Sequence, residues 1–534
     1  MPRLTYRAPG VYVEEIPSAR QPIAGVGTNT VAFIGIVPNK IYYPVRNDNY
    51  DPVAAREALE KTEPAAGPPP TEGAGTSGPA AGEGEPPRSP EAPPRKRAVV
   101  RTTASEASAL SPPEHGGENF ADDREDQIDA SLREPTLEVG KPIPPELKRH
   151  PYYLKAFDVK PDPGDTKFCT NFTEYTNHFG PFSAFRPDED SRPMYPGHHA
   201  LTHAVYGFFE NGGTRCFVAR VSSAEDLRKA LDKFESIDEV ALIAAPGFPK
   251  GSKLWTALIS YAEDINHQNV FAILDSPEVV AGPNDTATFD PEKLKFLDDG
   301  SNGETYPRVS KNAAYYFPHI EVVDPAKELQ DADPALGVEA KYRGRTYVAP
   351  SGHMAGVYAR TDEERGVHKA PANCIVRGAI GVRYYVSKPQ QEVLNPQGVN
   401  VIRNMNGAVT VWGARTIGGD RNGEWKYINV RRLFLFLQES IDEGTQWVVF
   451  EPNDPALWDK IRLNVSSFLT NVWRSGALFG LTPEEAFYVK CDAELNPPEV
   501  RDLGQVITEI GVAIVRPAEF VIFRISQSTG VQKS

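Results

Sequence analysis

The strongest periodic signal lies in the last third of the chain. Leu457, Trp458, Ile461, Val465, Phe468, Leu469 and Val472 recur in steps of three and four, which is the spacing of one helix face, so a helix is predicted over residues 454–476. Asp454 offers an N-cap, Pro455 suits the first helical position and Gly476 supplies a stop. Another amphipathic helix is predicted over 429–443, followed by a strand over 446–450. Further back, two apolar runs at 239–246 and 269–275 flank a helical stretch, 252–266, whose Leu254, Leu258, Ile259 and Ala262 share a face. Strand, helix, strand at this spacing is a βαβ unit with a parallel pair. The apolar run at 30–37 reads as a buried strand, whereas 281–345 is polar and turn-rich apart from the strand-like 313–317.

Both extremities carry short extended patterns. In residues 10–17, Val11 and Val13 share one face with Tyr12 opposite, and Pro9 and Pro17 bracket the segment. Residues 511–515 and 519–525 read as strands, the second containing Phe520, Val521, Ile522 and Phe523. A short strand isolated by prolines cannot bury its own apolar face and has to join a sheet edge elsewhere. Val11, Tyr12, Val13, Phe520, Val521, Ile522 and Phe523 are therefore candidates for pairing with a sheet edge elsewhere.

Composition locates an insertion. The chain of 534 residues is long enough for two or three domains, and its 49 prolines and 43 glycines are unevenly spread. They concentrate with Ala, Glu and Ser between about 51 and 145, a stretch that cannot repay its ordering entropy by burial. It is expected to be extended or flexible, with a short helix near 54–61, and its Arg95-Lys96-Arg97 reads as a solvated charge cluster. A formal charge of −15 argues against nucleic-acid binding, which needs clustered cations. The four cysteines, Cys169, Cys216, Cys374 and Cys491, have no metal or redox spacing. No signal-peptide pattern and no membrane-length apolar run are present, so assembly in the cytoplasm is expected.

Candidate chemistry fails on spacing. His199 and His203 share a helix face with His198 beside them, but Ala200 stands where a zinc protease needs its glutamate and no third ligand is evident. Residues 247–253 occupy the place of a phosphate loop with the wrong glycine spacing and a proline in the cradle, which favours a plain βα turn. Ser351 and His353 are too close in sequence for catalytic geometry. No catalytic, cofactor-binding or metal-ligating residue is predicted, and an α/β enzyme using a nucleotide or metal is the rival class these features weigh against. Opposite the core face of the 454–476 helix, Lys460, Asn464, Ser467, Asn471 and Arg474 form a polar stripe suited to docking. The earlier helix opens with Arg431-Arg432 and ends near Asp442-Glu443, against its dipole, so those cations serve either partners or local ion pairs.

Long strings then carry a resemblance. They are residues 9–15, 22–28 and 32–35, Phe208-Phe209-Glu210-Asn211-Gly212-Gly213, 350–356, 362–373, Val411-Trp412-Gly413-Ala414-Arg415-Thr416, Phe450-Glu451-Pro452-Asn453 and Pro517-Ala518-Glu519-Phe520. In these the chain resembles the contractile tail sheath proteins of bacteriophages and related injection systems. The resemblance implies an α/β (α+β) fold, a core domain built from both chain ends plus an inserted outer α/β domain. The division expected is 1–44 as arm and first core strand, 45–164 as insertion, 165–345 as outer domain and 346–534 as C-terminal core with its strand arm. It implies a helical homo-polymer around an inner tube protein, with baseplate and terminal cap proteins as further partners and with no nucleic acid, membrane insertion or cofactor. The terminal arms would exchange strands, and one core helix would contact the tube, for which Lys460, Asn464, Asn471, Arg474, Arg431 and Arg432 are candidates. A tube or baseplate component of the same machine is the remaining alternative, and the insertion has no role that the resemblance supplies.

Overall fold

The computed structural model describes residues 23–62, 132–134, 148–186, 191–264, 269–280, 288–520 and 522. Its strands in chain order are β1 Val31–Ile36, β2 Lys40–Arg46, β3 Tyr152–Asp158, β4 Thr166–Cys169, β5 Cys216–Val221, β6 Leu242–Gly247, β7 Phe271–Asp275 and β8 Ala313–Phe317. They continue with β9 Ile320–Val323, β10 Arg345–Val348, β11 Cys374–Ile375, β12 Ala379–Val382, β13 Val399–Met405, β14 Ala408–Val411, β15 Phe487–Lys490 and β16 Glu509–Val512. The helices are α1 Pro52–Thr62, α2 Phe172–Phe179, α3 Pro196–Glu210, α4 Leu227–Phe234, α5 Ser252–Glu263 and α6 Pro325–Asp331. After them come α7 Ser351–Arg365, α8 Lys388–Leu394, α9 Ile428–Thr445, α10 Pro455–Arg474, α11 Pro483–Ala486 and α12 Pro498–Asp502.

Nine strands form one sheet in the order β11-β14-β13-β8-β7-β6-β1-β5-β4. β1 sits inside it, parallel to both β5 and β6, which is why its six residues are apolar and all buried. Alternate residues face opposite cores. Val31 and Phe33 meet α3 and α7 through Leu201, Phe208, Met354 and Tyr358. Ala32, Ile34 and Ile36 meet α4 and α5 through Leu231, Trp255 and Leu258. The predicted βαβ unit is β6-α5-β7, with the strands parallel as expected.

The sheet crosses the division expected at residue 345. β8 pairs in parallel with β13, Val399 opposite Tyr315, so β11, β13 and β14 share one sheet with β1 across that division. The turn-rich 281–345 also holds more order than its composition suggested: β9 pairs with β10 and β12, and α6 follows it. A third core comprises the C-terminal unit, where α9 and α10 pack around Leu433, Leu437, Trp458, Phe468 and Leu469, closed by the two-stranded β15-β16. α10 buries the seven residues of the predicted stripe, its Asp454 side chain accepts from the Leu457 amide, and Gly476 follows it at φ +82°. Residues 446–450 are not a strand. They make a short 3-10 turn, Gln446–Val448, with Phe450 fully exposed, because five residues between two packed helices have no neighbouring strand to pair with.

β2 and β3 form an antiparallel ribbon, Lys40 opposite Asp158 through Arg46 opposite Tyr152. The insertion therefore leaves and re-enters at one place, closed by the Asn47 amide on the Pro151 carbonyl at 2.9 Å and the Asn47 side chain on the His150 carbonyl at 2.9 Å. Within it, α1 takes the position of the helix predicted at 54–61, whereas Arg95-Lys96-Arg97 lies outside the described residues. The strand expected at 10–17 lies outside them too, and no described helix is long and apolar enough to cross a membrane.

α3 and α7 cross at Gly352, where an added Cβ would lie 2.3 Å from the Ala204 Cα and carbonyl oxygen. Gly352→Ala is expected to cost about 3 kcal/mol of stability in chemical denaturation, since neither backbone can retreat.

Candidate functional site

The roots of the two terminal segments, at Thr28 and Glu519, are built on charged pairs. Ile23, the first described residue, packs against Gly444 of α9, and the Val26 amide donates to Ser440 Oγ at 3.1 Å. Thr28 Oγ1 donates to Asp362 Oδ2 at 2.7 Å. Arg432 Nη2 donates to that same oxygen at 2.6 Å and to the Thr28 carbonyl at 2.9 Å, while Nη1 reaches Asp362 Oδ1 at 2.9 Å. Both ionic side chains are about 95% buried, 4% and 5% exposed, and the guanidinium lies 4.9 Å over the Tyr358 ring. Burial alone would weaken the Arg432 proton, but the Asp362 carboxylate outweighs it and holds the group above its ordinary value.

The other end is held in the same way. Arg415 grips Glu519 bidentately, Nε to Oε1 and Nη2 to Oε2, each at 2.8 Å. Asn395 Nδ2 adds a bond at 2.8 Å and the Tyr427 hydroxyl one at 2.9 Å. Burial raises the Glu519 carboxyl, yet hydrogen bonds from Arg415, Asn395 and Tyr427 overcome it and set the group below its ordinary value. Tyr427 is the N-cap residue of α9 and Arg432 lies in that helix's second turn, so both roots flank one helix start. Four of the recognised strings thus meet as clamps: Thr28, Asp362, Arg415 and Glu519 each come from a different one. Sequence reading missed these pairs; Asp362, Arg415 and Glu519 are charges inside their strings, whereas residues 22–28 hold none.

The six docking candidates separate into two groups. Lys460, Asn471 and Arg474 are exposed on α10 and Asn464 is half-buried, with its Nδ2 unpartnered among the described residues. Arg431 and Arg432 are internal, 7% and 4% exposed, which corrects their reading as surface contacts. Arg431 Nε donates to Asn312 Oδ1 at 2.7 Å and its guanidinium lies over Trp425, while Arg432 serves the arm root. Their unfavourable position at a helix start is offset by these local partners. Of the strand candidates, Val11, Tyr12, Val13, Val521 and Phe523 lie outside the described residues; Phe520 and Ile522 are 70% and 80% exposed and belong to no strand within them.

The motifs weighed as chemistry have structural partners. Ser351 donates through its amide and hydroxyl to Asp275, both at 2.7 Å, and Lys250 Nζ donates to the Pro246 carbonyl at 2.7 Å, so the βα turn is closed internally. His353 faces Gly207 of α3 rather than Ser351's partner Asp275. A cleft of about 790 Å³ between the α4–β6 connection, α9 and β16 has an acidic rim that includes Asp238, Asp442 and Glu443. Burial together with those three carboxylates pushes Glu439 up. His199, His203 and Asp324 come together and are buried.

Comparison with known proteins agrees with the resemblance. A family model described as the phage tail sheath protein central domain matches residues 220–417, and one described as the phage tail sheath C-terminal domain matches 420–528. The tail sheath protein of Vibrio phage KVP40 is 26% identical over 188 residues, 34% of this chain and 26% of that protein. A putative prophage major tail sheath protein of Pseudomonas aeruginosa is 24% identical over 293 residues, 53% of this chain and 64% of that protein. The alignments therefore span about a quarter and under two thirds of these relatives. The fold is shared with the anti-feeding prophage helical sheath in its contracted state, at TM-score 0.56 and 22% identity over 98% of this chain and all of that one. The contracted sheath complex of an extracellular contractile injection system gives 0.53 at 27% identity, over 69% of this chain and 88% of that one.

Glu519→Gln is expected to cost about 2 kcal/mol at neutral pH, the value of a hydrogen-bonded charge. Because the folded Glu519 carboxyl is lowered, its contribution is complete above the unfolded value of about 4.3 and disappears as pH falls through the folded one. Denaturation curves of the two proteins should separate at pH 7 and converge only as pH falls below the lowered folded value of Glu519.

Proposed function

The chain belongs to the phage tail sheath family, and on that premise we propose that it is the structural subunit of a contractile sheath, polymerising helically around an inner tube. The observation that carries this reading is the pair of clamps at the α9 start. Arms that transmit force between subunits need roots that do not peel away, and a bidentate guanidinium–carboxylate pair at each root meets that need.

The arms pair with neighbouring copies by strand addition. The β15-β16 sheet offers the template: each strand pairs only with the other within the described sheets, leaving outer edges for an added strand. Each backbone hydrogen bond nets only about 0.5–1.5 kcal/mol, against an ordering cost of similar size per residue. One graft is weak, and many grafts in a closed helical lattice are effectively permanent. Val11, Tyr12 and Val13 at one end and Phe520, Val521, Ile522 and Phe523 at the other are the proposed strand residues.

Contraction draws on free energy stored at assembly: rigid subunits rotate between two lattices that differ in buried contacts, while the arms keep them connected. The chain itself catalyses no reaction and uses no cofactor. The polar stripe of α10, Lys460, Asn464, Asn471 and Arg474, faces the inner tube protein, and baseplate and terminal cap proteins complete the particle. The insertion projects on the outside of the sheath; its departure from the body beyond the β2-β3 ribbon supports that placement. Assembly takes place in the cytoplasm, with release as part of the particle.

Deleting residues 1–17 should leave a folded subunit that does not polymerise; helical tubes of the truncated protein in electron micrographs would refute strand exchange from this end. Lys460→Glu combined with Arg474→Glu should reduce the yield of tube-filled sheaths on co-expression with the tube protein. Full-length particles at unchanged yield would remove α10 as the docking helix.

A further inference from the structure

α3 carries His199 and His203 one turn apart, and the chain returns 121 residues after His203 to place Asp324 against them. One acceptor atom from each lies within 4.8 Å of the others, and all three residues are buried. Asp324 is the N-cap of α6, and its Oδ1 accepts from the Lys327 amide at 2.9 Å. Oδ2 is left for the imidazoles, 2.7 Å from His203 Nε2 and 3.3 Å from His199 Nε2.

The second contact has no hydrogen-bond geometry. His199 Nε2 is buried and has no hydrogen-bond partner among the described residues. Lys327, the cation on the same helix, is committed to Asp331 at 2.9 and 3.0 Å. A lone pair set 3.3 Å from a buried carboxylate oxygen is repelled unless a proton or a metal cation lies between them, and no hydrogen bond places a proton there.

We propose that His199, His203 and Asp324 bind one divalent transition-metal ion of the zinc class, which fastens α3 to the corner between β9 and α6. Two imidazole nitrogens and one carboxylate oxygen suit a borderline ion far better than calcium or magnesium, which take oxygen donors. Three protein donors leave a fourth position for water. Enclosure assigns the ion a structural rather than a catalytic part: the Phe185 ring abuts His199 and the Phe182 ring abuts His203, at 5.2 and 4.9 Å between centroids. The ion joins the helix layer under β1 to the small β10-β9-β12 sheet, stiffening a body that the proposed function requires to move as one piece.

The test uses the full chain, refolded or expressed with zinc and dialysed against metal-free buffer. Mass spectrometric metal analysis should find about one zinc per chain, cobalt substitution should give visible d–d absorption, and a strong chelator should lower the thermal midpoint by several degrees, restored by zinc. Asp324→Asn keeps an acceptor for the α6 cap and removes the anionic ligand; it should weaken zinc affinity by more than about 100-fold, beyond the effect of losing an outer-shell partner. His199→Ala with His203→Ala should abolish binding. Wild-type protein that stays metal-free with an unchanged melting midpoint overturns the proposal, and so does undiminished zinc in Asp324→Asn or in the double histidine variant.

Discussion

The Arg432 guanidinium lies where water barely reaches it, among Asp362, the Tyr358 ring and the Thr28 carbonyl. A buried charge is costly unless it is paired and its donors are used, so this arginine dictates where three distant pieces of chain must meet. Asp362 brings the end of α7, Thr28 brings the N-terminal root, and α9 brings the arginine itself. Its neighbour Arg431 reaches Asn312 just before β8, and Tyr427 just before the same helix holds Glu519. The start of α9 is thereby tied to the central sheet, to α7 and to both chain ends.

That arrangement ties Thr28 and Glu519 to a body packed about one sheet. The body is rigid because its sheet is closed around a strand from the beginning of the chain: β1 pairs on both sides, with β5 and β6, and cannot leave without opening both cores. The two roots are held by directional contacts: hydrogen bonds at Thr28 and an ion pair at Glu519. An apolar root of the same area would resist pulling less specifically, since hydrophobic contact has no preferred direction. The long insertion joins the body beyond the β2-β3 ribbon, and Leu132 and Glu134 within it return to pack against the core and β3.

The acidic composition fits the same division of labour. Charges inside the body are met by a counter-charge, as at Asp362 with Arg432, or by neutral acceptors, as Arg431 is by Asn312 and Arg220 by the Val37 carbonyl. Carboxylates such as Asp442 and Glu443 gather at the rim of the cleft beside β16. An excess of one sign on the surface keeps unassembled subunits apart, and packing into a lattice has to neutralise it locally.

By itself the sequence determined what depends on neighbours along the chain. The seven buried residues of α10, its Asp454 cap and the β6-α5-β7 unit were legible because periodicity and capping are local properties with periods of 3.6 and 2. Residues 446–450 were misread for the converse reason: apolar content suggests a strand, but a strand exists only where a second one lies beside it. The short strands β9 and β10 were missed because four residues carry too little pattern. Only the tertiary structure decided the pairings: Arg432 with Thr28 across 404 positions, Arg415 with Glu519 across 104 and His203 with Asp324 across 121. Closing such long loops costs an entropy that grows only slowly with their length, so the partner of a buried charge is chosen by the packed geometry and leaves no mark on the residues around it.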